Sequence, residues 1–253
     1  MAVSLLWSRI AGRYQRAVSE YLGRRHAAIV LDRPYISFTF DDFPRSALHT
    51  GGSILSQFGV RGTYYVSLGL LDSMAPTGEI CSLDDVNLVL AQGHELGCHT
   101  YSHRHAWDTP PSDFERAILQ NRQLLAELVP GAKFESLAYP IAGPRWSTKT
   151  CAGKHFRCCR GGGQAGNAHR VDLNHLKSFF LEKSRDDFGE VQRVIDANKK
   201  ACGWLIFSTH DIDAAPTPYG CTPEFFGRVV RYSVESGAAV LPVARTLDRV
   251  LLP

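Results

Sequence analysis

Ile36-Ser37-Phe38-Thr39-Phe40-Asp41-Asp42-Phe43 is the stretch whose reading decides the fold. Apolar and β-branched residues run directly into two adjacent carboxylates, and Pro34 and Pro44 bound the run. A segment this short between prolines reads as a buried strand rather than a helix. Its two aspartates then close the strand at the C-terminal end, where parallel α/β proteins place their chemistry. Neighbouring carboxylates repel unless their roles differ, for instance when a cation takes one and proton transfer the other. An Asx turn at a strand end is the bland alternative, and this stretch alone does not separate the two.

Outward from it the chain alternates strand-like and helix-like segments. Ser46–Phe58 reads as a helix, Gly62–Ser67 as a strand, and Ser82-Leu83-Asp84-Asp85 opens a capped helix that Gly93 ends. His94–Cys98 is a short strand, and Ser112-x-x-Glu115 starts a helix carrying Phe114, Ile118, Leu125 and Leu128 on one face. Further strands are expected at Ser136–Tyr139, Phe156–Arg160, Leu176–Leu181, Trp204–Phe207 and Ala239–Leu241. Helices are expected at Asp186–Ala201 and from Thr222-Pro223 to Gly237. This β-then-α rhythm, without repeat or linker, predicts an α/β fold, a TIM-like irregular (β/α) barrel, over residues 31–253. A chain of 253 residues with 44% hydrophobic content suits one such barrel.

Residues 1–30 are a lead-in. Leu6, Ile10, Tyr14, Ala17 and Tyr21 recur at helical spacing, with Arg9, Arg13 and Arg16 largely elsewhere on the wheel. The expectation is a helix packed across one end of the barrel; peripheral membrane contact through residues 4–25, with Trp7 at the interface, is the alternative. A net charge of +3 without a basic stripe argues against nucleic acid. The seven cysteines form no C-x-x-C pair, which argues against zinc-finger and thioredoxin readings and for free thiols in a reducing compartment. Met1–Trp7 is too short an apolar block for a signal peptide, so a cytoplasmic location is expected.

The same strand-end rule singles out further residues. Gly97-Cys98-His99-Thr100-Tyr101-Ser102-His103 follows a strand and offers two imidazoles four residues apart, which share a face if the local chain is helical. His103 with His105 is a competing pair, and Cys98 should face the core. His210 closes the strand at Trp204–Phe207, where a histidine can donate a proton near neutral pH. One aspartate and two histidines leave coordination positions open, as a catalytic site requires. Asp41, Asp42, His99, His103 and His210 together supply a base, three metal ligands and an acid.

At these positions the sequence resembles the polysaccharide deacetylase, or NodB-homology, family of carbohydrate esterases. The resemblance rests on Thr39-Phe40-Asp41-Asp42, His99 to His103, Tyr139-Pro140 with Gly143, and Thr209-His210-Asp211, in that order, and runs from about Pro34 to Leu247. It implies a divalent metal, usually Zn2+, held by Asp42, His99 and His103, with Asp41 as base and His210 as acid. It implies a backbone N–H near Ile141 for the oxyanion, and an N-acylated amino sugar as substrate. Tyr219 and Trp146 are candidate sugar-stacking residues. A lipid-linked sugar, a non-sugar amide and a carbohydrate-binding relative without turnover are the alternatives.

Four departures stand out. Phe43 replaces the usual glycine and should narrow the site. Ala138 occupies the position of an arginine that orients the base, and Ile141 that of a tyrosine. The family's fourth-motif aspartate–tryptophan pair is not recognisable in Cys158–Asn167, leaving His210 without its partner.

Overall fold

The strand expected at Tyr35–Phe40 lies at the middle of a parallel sheet in the computed structural model, which describes residues 18–141 and 143–251. In chain order the strands are β1 (His26–Ala28), β2 (Tyr35–Phe40), β3 (Thr63–Val66), β4 (Met74–Ala75), β5 (Gly78–Glu79) and β6 (Glu95–Cys98). They continue as β7 (Ser136–Ala138), β8 (Cys158–Arg160), β9 (Arg170–Asp172), β10 (Phe179–Phe180), β11 (Trp204–Thr209) and β12 (Ala239–Val240). The α-helices are α1 (Ser53–Gln57), α2 (Leu83–Ala91), α3 (Pro111–Leu128), α4 (Trp146–Ala152), α5 (Phe188–Ala201), α6 (Pro223–Glu235) and α7 (Val243–Val250).

The main sheet runs β10-β11-β2-β3-β6-β7-β8, with β12 alongside Tyr35 and Ile36 at the start of β2. All of these pairings are parallel, and β11 matches β2 from Trp204↔Tyr35 to Thr209↔Phe40. A parallel bridge between Arg160 and Leu176 links β8 to the segment entering β10, so the sheet curls towards closure. The fold is therefore the irregular (β/α) barrel that the alternating pattern predicts.

β2 is buried along its whole length because both of its faces are covered. Phe38 and Phe40 point to the helical layer, where Phe38 stacks on Phe207 at 5.5 Å and both pack against Phe226 of α6. Ser37 and Thr39 point the other way and are satisfied there. Ser37 Oγ accepts from Trp204 Nε1 at 3.0 Å, and Thr39 Oγ1 donates to the Phe207 carbonyl at 2.8 Å. This period-2 split, carbon to the helices and hydroxyl to the barrel interior, holds the strand that carries Asp41.

The opposite, N-terminal end of the barrel holds a carboxylate of its own. Glu95 opens β6 and accepts from Thr63 Oγ1, Ser136 Oγ and the Ala244 N–H at 3.2, 2.8 and 2.7 Å. These donors open β3, β7 and α7, so Glu95 ties three elements at the barrel floor.

Several expectations change. The segment Ser46–Phe58 begins as a π-helical stretch, Ala47–Gly52, before α1. Leu176–Leu181 supplies only the two-residue β10, because Leu176 pairs with β8 while Phe179 pairs with β11. Of the amphipathic lead-in, residues 1–17 lie outside the described residues. Residues 18–21 are helical, but Tyr21 is 69% exposed, so it does not lie on a buried face. Polar contacts fasten this segment instead. Lys149 Nζ donates to the Ser19 carbonyl at 3.2 Å, and the Arg25 guanidinium reaches the carbonyls of Gly153, Phe156 and Arg157. No helix among the described residues is long and apolar enough to cross a membrane.

Candidate active site

The C-terminal strand ends open into one cavity of about 1040 Å³, lined by Asp41, Asp42, His99, His103, His210 and Ile141 among others. Each arrives on a different strand: the aspartates after β2, His99 after β6, Ile141 after β7 and His210 after β11. Parallel pairing puts these ends at one level, which is why residues 169 positions apart in the sequence line a common wall.

Backbone strain concentrates here. Asp42, Phe43, Thr100, His103 and Ile141 all have left-handed φ, at 60°, 55°, 62°, 51° and 66°. For non-glycine residues, and for β-branched Thr100 and Ile141 above all, this costs on the order of 1–3 kcal/mol each and persists where the surroundings enforce it. The His99/His103 spacing consequently works through a left-handed turn and not through the helix that would put residues four apart on one face. Phe43 corrects another expectation. It is fully buried, tilted against Tyr64 at 4.9 Å, and does not line the cavity, so it does not narrow the site.

Asp42, His99 and His103 converge, with ligand atoms all within 4.8 Å of one another. His99 Nδ1–H donates to the Ala138 carbonyl at 2.9 Å, so in its neutral form Nε2 presents a lone pair 3.3 Å from Asp42 Oδ1. His103 Nε2 lies 3.0 Å from the same oxygen, and Oδ1 is buried without a well-formed hydrogen bond. Thr77 Oγ1, from the turn between β4 and β5, donates to Asp42 Oδ2 at 3.0 Å and aims the carboxylate. Lone pairs facing one another around an unbonded buried oxygen are relieved by a cation, and this donor set fits a divalent ion. Burial opposes the charge on Asp42, yet the two imidazoles hold its carboxyl well below the usual carboxylate range, and Asp42 in turn raises His103 against its own burial. His105 faces Asp108 instead.

Asp41 is held differently. Arg160, at the end of β8, ion-pairs through Nη2 with Asp41 Oδ1, and Ser208 Oγ donates to Oδ2 at 3.2 Å. Burial would raise this carboxyl, but the Arg160 charge, with His99 and His210 nearby, outweighs it and holds Asp41 below its ordinary value. The guanidinium also donates to Ser178 Oγ at 3.2 Å, lies over the Tyr65 ring at 5.0 Å, and is buried. The arginine absent at Ala138 is thus replaced from the neighbouring strand. A charged residue closing an apolar strand, the rule that identifies Asp41 and His210, also describes Arg160 in Cys158-Cys159-Arg160-Gly161.

His210 donates through Nδ1 to the Tyr219 carbonyl at 3.1 Å, leaving Nε2 as its other nitrogen. Tyr219 sits edge-on to His210 at 5.6 Å and lines the cavity. Glu182 shares the cavity wall two residues beyond Phe180, whose register partner Ser208 is two residues before His210. Its Oε2 is buried and unbonded, and burial pushes its carboxyl up to about 7 against the pull of His210. Trp146 is 52% exposed at the start of α4 and does not line the cavity, so the expectation that it stacks on substrate is not supported.

A curled parallel barrel with paired carboxylates and imidazoles at its C-terminal mouth fits a hydrolase. The chain belongs to the polysaccharide deacetylase family: that family's profile, described as "Polysaccharide deacetylase", matches residues 29–155, half of the chain. Solved structures share the fold at low identity. A family 4 carbohydrate esterase from Streptomyces lividans in complex with acetate superposes with a TM-score of 0.59 at 16% identity, covering 88% of this chain and 100% of that one. A family 4 acetyl xylan esterase from Clostridium thermocellum in complex with a cobalt ion gives 0.59 at 16% identity over 85% and 90%. A CE4 family pseudoenzyme from Bacillus anthracis gives 0.60 at 12% identity over 87% and 67%. No curated protein sequence matches.

Proposed function

We propose that the chain removes an acyl group, in the first instance acetyl, from the amide nitrogen of an N-acylated sugar. The observation that carries this reading is the different treatment of two adjacent carboxylates: Asp42 faces two imidazoles, whereas Asp41 faces a guanidinium. Asp42, His99 and His103 would hold the divalent cation, for which zinc is the first candidate; when bound it supplies Lewis acidity and lowers the pKa of water.

Asp41, ionised and oriented by Arg160 and Ser208, takes the proton from the attacking water. The Ile141 N–H, on a backbone held at positive φ, is the donor assigned to the developing oxyanion. His210, fixed through Nδ1 by Tyr219, gives its Nε2 proton to the departing sugar amine. Tyr219 offers an aromatic edge to the sugar.

Arg160 bears on the alternative of a binding-only relative. The missing third-motif arginine and the unrecognisable fourth-motif aspartate–tryptophan pair both favour that alternative, and a guanidinium from β8 beside Asp41 weakens the first of these two grounds. The alternative of a lipid-linked sugar or non-sugar amide rests on the altered third and fourth motifs and on residues 4–25, most of which lie outside the described residues.

The test is acetate and formate release from a panel of N- and O-acylated amino sugars and xylo-oligomers, with and without added zinc. Release from N-acetylated oligomers that stops on chelation and returns with zinc is expected. Full turnover after chelation would overturn the cation-dependent mechanism, and release from O-acetyl substrates alone would overturn the amide assignment.

A further inference from the structure

Away from the cavity, α3 and α4 bring a second set of donors together. Glu115 in the second turn of α3, Cys151 near the end of α4 and His155 just beyond it place a carboxylate oxygen, a thiol sulfur and an imidazole nitrogen within 4.8 Å of one another. His155 Nε2 lies 2.6 Å from Glu115 Oε1. The sulfur is buried, and its bond to the Pro111 carbonyl is long, at 3.9 Å. The Glu115 side chain is 37% exposed, which leaves one side of the cluster open to water.

A hydrogen-bonded glutamate–histidine pair would pin two helices without a third donor. The thiol at the same point changes the chemistry, because sulfur, imidazole nitrogen and carboxylate oxygen are the three ligand types of borderline divalent ions, and three ligands with an open side leave a fourth position for water. We propose that Glu115, Cys151 and His155 form a second divalent-cation site, of the zinc class, that fastens α3 to α4. Binding converts the Cys151 thiol to a thiolate and releases one proton. It also replaces the hydrogen between His155 Nε2 and Glu115, so the neutral imidazole carries its proton on Nδ1. The two helices joined this way follow the two loops that carry His99 and His103 on one side and Ile141 on the other. The site is separate from the Asp42 cluster and does not depend on the deacetylase reading.

Cobalt(II) separates the two sites, because the Asp42 cluster contains no sulfur. Titrating reduced, metal-free full-length protein with cobalt should load two equivalents and produce a near-ultraviolet thiolate-to-cobalt charge-transfer band, which zinc then bleaches. Asp42→Asn should keep that band while losing one equivalent. Cys151→Ser should lose the band and keep the other equivalent, with an unchanged circular-dichroism spectrum as evidence that it folds. His155→Gln should weaken the banded site by roughly tenfold or more, since the loss of even an outer-shell partner costs a metal site that much. Zinc should raise the melting temperature of Asp42→Asn but not of Asp42→Asn combined with Cys151→Ser. A single equivalent without a thiolate band would overturn the proposal. A band that survives in Cys151→Ser would do the same, by assigning the sulfur to another cysteine such as partly buried Cys202.

Discussion

Asp41 and Glu95 are enclosed carboxylates at opposite ends of one barrel, and their surroundings push them in opposite directions. Asp41, at the C-terminal mouth, faces a guanidinium and is held ionised below its ordinary range. Glu95, at the floor, has three neutral donors from Thr63, Ser136 and Ala244, and burial pushes it up to about 7. Both are hydrogen-bonded, so hydrogen bonding alone does not set the charge; the formal charge of the partner does. The floor carboxylate joins elements together, whereas the mouth carboxylate lines the cavity as an anion. The two ends of the barrel thus differ in whether a buried guanidinium stands beside the carboxylate.

The largest effect should come from removing the base while keeping its shape. Asp41→Asn is expected to lower kcat by roughly 10²–10⁴-fold, the range of general-base catalysis, with cation content unchanged. Turnover close to wild type would remove Asp41 from the mechanism.

Next in size is the stability of the ion pair. Arg160→Met leaves Asp41 buried beside no cation and should cost about 3–5 kcal/mol in denaturant unfolding at neutral pH, the usual result of orphaning one buried partner. If the loss were under about 1 kcal/mol, Asp41 would owe its charge to something else.

Glu95 provides the complementary case. Its folded value near 7 lies above the unfolded value near 4.5, so the native state binds the extra proton in that window. Stability should therefore fall as pH rises from about 4.5 to 7, by about 3 kcal/mol from this group. Glu95→Gln should flatten that slope and make the variant the more stable protein above pH 7, as read by urea midpoints across pH. Asp41 acts with the opposite sign: its contribution is present above its unfolded value and is lost as the pH falls below it.

The smallest effect concerns the aim of the neighbouring aspartate. Thr77→Val removes one neutral hydrogen bond to Asp42 and should weaken the cation there by roughly 10–100-fold with little change in fold. Equal metal affinity would show that the β4–β5 turn plays no part.

The comparison also separates what the sequence reveals from what it hides. Asp41, Asp42, His99 and His210 were legible because each closes an apolar strand, and a parallel barrel sends all such ends to one side. His103 was legible as a partner but for another reason than the true one, since its approach depends on left-handed turns at Thr100 and His103 that spacing does not encode. Arg160 was hidden although it obeys the strand-end rule. It stands 119 residues from Asp41 and one strand away from the position where an arginine was sought. Phe43 looked like a residue of the site because of its neighbours, but two consecutive positive φ values turn its ring into the core. Trp146 and Tyr219 were equal candidates in the sequence, and only the folded positions of α4 and the loop after β11 separate them.

The most direct test of the central claim, that Arg160 holds Asp41 as the anionic base, is the pH dependence of kcat/KM for Arg160→Met beside wild type, with metal content verified. Losing the guanidinium lets burial dominate, so the acidic limb should move up by roughly one to three pH units, with partial recovery of activity at high pH. An acidic limb and rate unchanged from wild type would contradict the account.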